Sequence, residues 1–187
     1  MLSQREPFIY EGKITPSVTE ILNDVFGISF PDNISVERAT AFGNYGHEAI
    51  ANTLKLKVVC TDINIKAYVD NAFNFIHSFG YIPVMIEERL YSKKYRITGK
   101  MDLIVRDLGG YHHIIDWKTG QIGKTAHLQL AGYELLAEDA GIRINKRICV
   151  QLNGEKGYKV KTYDNKQDKY DFLHCVSFYN LKKELKL

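Results

Sequence analysis

Asp102, Asp116 and Lys118 are the residues of this chain whose types and spacing most invite chemistry. Two β-rich runs, Gly99 to Val105 and His113 to Thr119, flank a breaker at Asp107-Leu108-Gly109-Gly110, which predicts a hairpin. Asp102 and Asp116 lie equally far from Gly109, so they oppose each other across the pair with Cβ atoms roughly 4.5–5.5 Å apart. Alternation puts Lys118 on the same face, beyond Asp116. Two carboxylates that close repel each other unless a cation intervenes, and oxygen donors suit a divalent metal. Lys118 could hold a reacting anion there or, with a lowered pKa, orient and deprotonate a water. The plain alternative is an exposed hairpin with a surface Asp–Lys pair worth about 0–1 kcal/mol. The hairpin by itself does not choose between them.

The whole chain sets the frame for that hairpin. Its 187 residues, 45% hydrophobic and 25% charged, fit one soluble globular domain with a real core. No run is apolar enough to span a bilayer, and the start lacks a secretion signal. The reading is therefore an intracellular protein without a membrane partner. A net charge of +3 neither demands nor opposes a nucleic-acid partner. Cys60, Cys149 and Cys175 are odd in number, far apart and without CxxC spacing, so they read as reduced thiols.

Residues 1–14 read as an irregular or short β lead-in. Ser17 followed by Glu20 is a capping box, predicting a helix with Ile21, Leu22 and Val25 on its apolar stripe. Its N-terminus, with the Ser17 and Thr19 hydroxyls, could hold a phosphate, although capping explains it equally well. Gly27 to Asn33 should break that helix. A second helix is expected from about Ser35 to Leu56, with Gly43 and Gly46 inside it at about 1 kcal/mol each relative to Ala. Such a cost implies close approach to the backbone or a break; His47 shares the face of Gly43. A third helix is expected over Ile63 to Ser78, with Ile65, Val69, Phe73 and Ile76 buried.

A strand from Tyr81 to Tyr91 then reverses at Ser92-Lys93-Lys94-Tyr95. With the turn centred between Lys93 and Lys94, Met85 opposes Asp102 and Glu87 joins the acidic face as a third carboxylate. Lys93, Lys94 and Arg96 form a small basic cluster, explicable as a solvated turn. Lys124 to Ala140 reads as an amphipathic helix with Gln129 and Tyr133 four apart on one side. A strand at Arg147 to Leu152, a return strand at Tyr158 to Tyr163 and a helix from about Lys166 to Leu185 complete the chain. The fold expected is α/β, a mixed central sheet flanked by helices in a single domain. Its parts are N-terminal helices (15–80), a catalytic sheet and helix (81–141), and C-terminal strands and helix (142–187).

In order, the unusual residues are Gly43-xxx-His47, Glu87, Gly99-xx-Asp102, Asp116-x-Lys118 and Gln129-xxx-Tyr133. This string resembles the RecB-like branch of the PD-(D/E)XK nuclease superfamily, whose members carry GxxxH, GxxD, DxK and QxxxY motifs in that order. The Pro16-Ser17-Val18-Thr19 entry and the Asp116-Trp117-Lys118-Thr119 wording look closest to small phage exonucleases and the mitochondrial genome maintenance exonuclease. The resemblance spans roughly residues 15–140 and implies a restriction-endonuclease-like core and a place in a bacterial or phage-infected cytoplasm.

It also implies roles. Asp102 and Asp116 match the metal-binding acids, His47 the histidine that joins the coordination, and Lys118 the catalytic lysine. Gln129 and Tyr133 match the motif that supports the site and contacts the substrate strand; Glu87 fits the acid on the first core strand. The implied activity is divalent-metal-dependent hydrolysis of DNA by an exonuclease acting on single strands. The cofactor would be Mg²⁺ or Mn²⁺, with an imidazole ligand tilting the preference towards Mn²⁺. Iron–sulfur relatives use four cysteines, and this chain has three, none suitably placed, so no cluster is expected. Ser17, Thr19, Tyr45 and Lys124 are candidate DNA contacts, and Tyr45, Trp117 and Tyr133 offer rings for base stacking, although each fits the core equally well. The alternatives are a structure-specific or restriction-like endonuclease with the same site, and a non-catalytic nucleic-acid-binding module. A zinc site from His112, His113 and His127 is disfavoured, because adjacent strand residues face opposite ways.

Overall fold

The computed structural model describes residues 8–28 and 34–186. Residues 1–7 of the lead-in and 29–33 of the expected break lie outside these. The described lead-in is a two-stranded ribbon, β1 (Ile9–Tyr10) and β2 (Lys13–Ile14), turned through left-handed backbone at Glu11 and Gly12. Helix α1 (Val18–Val25) begins at the expected capping box, in which Ser17 Oγ accepts from Glu20 N at 3.1 Å. Helix α2 (Ile34–Leu56) runs unbroken through both glycines. Helix α3 (Lys66–Ser78) starts three residues later than predicted, because Asp62 and Ile65 are taken up in a turn ahead of it. Phe75, rather than the partly buried Phe73, is its fully buried ring.

Five strands form the main sheet in chain order: β3 (Ile82–Ser92), β4 (Ile97–Arg106), β5 (His112–Lys118), β6 (Ile144–Leu152) and β7 (Tyr158–Tyr163). The first three pair antiparallel, β6 joins β5 in parallel, and β7 returns antiparallel. The parallel step needs a crossover, supplied by helix α4 (Ala126–Asp139). Helix α5 (Gln167–Leu185) closes the chain.

Helices α1, α4 and α5 pack on one face of the sheet around Ile97, Met101, Ile104, Ile114 and Cys149. Helices α2 and α3 cover the other, around Leu103, Val105, Ile115, Trp117 and Ile148. Helix α4 is not amphipathic as expected. It lies between the sheet and α1 and α5, and is buried on nearly every side, including Leu128, Leu130, Ala131, Tyr133, Leu135 and Leu136. Gly132 permits this, since a Cβ there would fall 2.8 Å from the Phe172 ring. A charged network ties the layers together: the buried Arg147 of β6 reaches Glu134 at 3.2 Å and Asp168 at 3.1 Å.

Candidate functional site

Strands β4 and β5 pair as Leu103↔Ile115, Ile104↔Ile114, Val105↔His113 and Arg106↔His112. One step further, Asp102 and Asp116 face each other, where the ladder ends. There the Asp102 carboxylate accepts from Trp117 N at 2.8 Å. The Trp117 ring turns to the opposite face and packs edge-on against Phe75, 1% exposed.

The β3–β4 register differs from the expected one. Ser92 pairs with Ile97 and Met85 with Ile104, so the turn centres between Lys94 and Tyr95, and Glu87 rather than Met85 lies across from Asp102. The parity is unchanged, which is why Glu87 still falls on the acidic side. Glu87 itself drops out of the ladder between Ile86↔Leu103 and Glu88↔Met101, with φ at +51°. Left-handed backbone at a non-glycine strand residue is strained and tends to accompany functional sites. Here it delivers the carboxylate towards α2.

Helix α2 comes within reach because its glycines present bare backbone to the end of β5. A Cβ on Gly46 would fall 3.0 Å from Thr119 Cγ2, and one on Gly43 3.4 Å from Thr119 Oγ1. His47, next on that helix, places Nδ1 at 3.1 Å from Asp102 Oδ1 and 3.8 Å from Glu87 Oε1. One donor atom from each of His47, Glu87 and Asp102 lies within 4.8 Å of the others, a nitrogen-and-oxygen set that fits a divalent ion.

Asp116, 2% exposed, is engaged differently. Its carboxylate accepts from Lys118 Nζ at 2.8 and 3.1 Å and from the Cys149 thiol at 3.7 Å. Lys118 also donates to Gln129 Oε1 at 3.3 Å, and Gln129 Nε2 meets the Tyr133 hydroxyl at 3.1 Å. Gln129 and Tyr133 thus steady the ammonium from α4.

The electrostatics follow from this packing. Burial opposes the charged form of His47, but Asp102 and Glu87 outweigh it and carry the imidazole up to about 10. Burial likewise works against Asp102, yet His47 and Lys118 hold it below the ordinary carboxylate range. Burial lifts Asp116 above that range against the pull of Lys118, and the negative Asp102 adds to the lift. Lys118 moves up rather than down, because Asp116 and Asp102 overcome the effect of burial. Without a metal bound, Lys118 is thus a cationic donor, which favours the first of the two roles considered for it, holding a reacting anion, over the one that needs a lowered pKa.

Of the residues singled out in sequence, the fold brings together His47, Glu87, Asp102, Asp116, Lys118, Gln129 and Tyr133. Tyr133 is 4% exposed, so it and Trp117 are core rings closed to base stacking. Tyr45 is exposed, two residues before His47, with its hydroxyl on Asp62 at 2.6 Å. Ser17 is occupied in capping and Thr19 is exposed. Lys124 is exposed but sits in the loop before α4, since the chain turns at Gly123 and the helix begins at Ala126. The three histidines do not converge: His113 is buried against Asp107 at 2.9 Å, and His127 lies against Tyr163. Sequence reasoning misses two neighbours of the site. Lys100 pairs with Glu87, and its place on the strand beside Asp102 is the signal that could have found it. Cys149 pairs with Asp116 in the parallel β5–β6 register, for which the sequence carries no local signal.

A family model described as PD-(D/E)XK nuclease superfamily matches residues 67–172, more than half of the chain. Among solved structures, the fold is similar to an alkaline exonuclease from Laribacter hongkongensis, with a TM-score of 0.52 and 13% identity over 92% of this chain and 89% of that one. The same exonuclease in complex with dAMP superposes with a TM-score of 0.51, at 13% identity and the same coverage. No curated protein matches the chain. Among the described residues no helix is long and apolar enough to cross a membrane.

Proposed function

The chain belongs to the PD-(D/E)XK nuclease superfamily, and we propose that it is a divalent-metal-dependent DNA exonuclease acting on single strands. The observation that carries this is the meeting of two groups at one end of the β4–β5 pair. His47, Glu87 and Asp102 offer donors for an ion, and Lys118 stands beside them as a hydrogen-bond donor held by Asp116 and Gln129. Mg²⁺ or Mn²⁺ held there would supply positive charge against the phosphodiester and acidify the attacking water.

The chain's own residues do the rest. Asp102, fixed by the Trp117 N–H, keeps one oxygen directed at His47 while the other is bound to backbone. Asp116 anchors Lys118 so that its ammonium can be shared with a phosphoryl oxygen or with the incoming water, lowering the charge that a nucleophile must approach. Gln129 and Tyr133 keep that ammonium from swinging away. Tyr45, Thr19 and Lys124, all exposed, and Ser17 at the N-terminus of α1 would contact the strand. The exonuclease reading is supported by the order of the RecB-like motifs and by the fold shared with an alkaline exonuclease, whose complex holds a deoxynucleotide.

End-labelled single- and double-stranded oligonucleotides, incubated with Mn²⁺ or with EDTA, test this. Stepwise shortening of the single strand in Mn²⁺ alone is expected. A circular single strand should survive; its cleavage would replace the exonuclease with an endonuclease.

A further inference from the structure

Past the site, the β3–β4 hairpin continues as an arm that helices α2 and α3 do not cover. Arg89 pairs with Lys100 and Tyr91 with Thr98, so Arg89, Lys100 and Tyr91 share one face. Lys100 links this face to the site through its ion pair with Glu87. The β1–β2 ribbon lies along the arm: Tyr10 stacks on Tyr91 with centroids 3.6 Å apart, and the Arg89 guanidinium sits 5.4 Å over the Phe8 ring. Beyond them a cleft of about 370 Å³ is lined by Lys13, Lys93 and Arg96 together with both tyrosines.

We infer that this arm is the track along which a nucleic-acid strand runs to the site, an assignment that rests on the nuclease reading above. Three features favour a nucleic acid as the occupant. First, cations alternate with half-buried rings along one face, Tyr10 and Tyr91 stacked on each other beside Arg89, a pattern suited to contacting phosphates and bases in turn. Second, among the described residues Lys93 is met only by Glu11, at 3.5 Å, and no carboxylate pairs with Arg89 or Arg96. Five cations (Lys13, Arg89, Lys93, Arg96 and Lys100) thus face two paired carboxylates, Glu11 and Glu87, and the excess of positive charge is complementary to a polyanion. Third, the row is continuous with the site: at a strand rise of roughly 3.3 Å per residue, Tyr91 stands about 13 Å from Glu87. A solvated turn accounts for Lys93 and Lys94, but not for a tyrosine pair stacked beside an arginine on an aromatic shelf.

The test reads binding without turnover. Fluorescence anisotropy of a long labelled oligo(dT) in EDTA is measured over a salt series for the whole protein, the double variant Arg89→Glu/Lys93→Glu, and Tyr91→Ala. A matched double variant, Arg143→Glu/Lys146→Glu, changes the same charge at the far end of β6. The arm variant should lower the salt slope by about 0.7 for each phosphate it no longer neutralises. Tyr91→Ala should raise the Kd about tenfold, the worth of roughly one stacked base. Equal slopes in wild type and arm variant, or an equal loss in the matched control, would overturn the track. Cleavage by the wild type in Mn²⁺ is scored separately. A failure to cut with the slope difference intact ends the nuclease reading and leaves the track. Cutting with unchanged slopes does the reverse.

Discussion

Gly99 and Tyr133 are fitted to each other: a Cβ on Gly99 would lie 2.8 Å from Tyr133 Cε1 and 2.7 Å from Leu136 Cδ1. The glycine of one motif thus seats the tyrosine of another. Gly99→Ala should cost about 1–3 kcal/mol by overpacking, seen as a lower urea midpoint. It should also push Tyr133 and Gln129 away from Lys118, so cleavage should fall further than the loss of folded protein explains.

Lys118→Ala leaves Asp116 buried beside Asp102 without its ammonium. Cleavage of labelled DNA should drop by about 10²-fold or more, the scale seen when one preorganised charge stabiliser is removed. Arginine should not restore it, since a planar fork cannot replace a point charge between Asp116 and Gln129. Activity within a few-fold of wild type would contradict the role given to this residue.

His47 titrates near 10 in the folded, metal-free protein, against 6.5 for a free imidazole. A raised pKa gives stability that is fully present below 6.5 and is lost as pH rises through 10. Denaturation in EDTA should therefore show stability declining across that window, and His47→Gln should flatten the decline. A metal ligand must surrender its proton, so calorimetric titration with Mn²⁺ in buffers of different ionisation enthalpy should report proton release in the same window.

Arg147 is 4% exposed and holds Glu134, Asp168 and the carbonyls of His127 and Asn165. Arg147→Met strands the buried Asp168 carboxylate, leaves Glu134 to Lys169 alone, and should cost about 3–5 kcal/mol. Adding Asp168→Asn should return part of that loss in denaturant melts, because the stranded charge is then removed.

Local rules make part of this legible in the sequence. The β4–β5 register follows from the symmetric placement of Asp102 and Asp116 about Gly109, and α1 from its capping box. Glu87 falls on the expected face although the turn centre sits elsewhere, because the register differs by an even number of residues. What cannot be read locally depends on contacts between distant segments. The left-handed kink at Glu87 that aims its carboxylate at α2, the fit of Gly46 against Thr119, and the enclosure of α4 by α1 and α5 have no local signature. Trp117 looks like a stacking ring because it lies between two site residues, but strand alternation sends it to the opposite core.

The most direct test is diffraction from crystals soaked in manganese, with data collected at an energy where that element scatters anomalously. One strong peak bounded by His47, Glu87 and Asp102, lost in Asp102→Asn, is the predicted result. A map without density there, or a peak elsewhere with the three side chains unmoved, would contradict it.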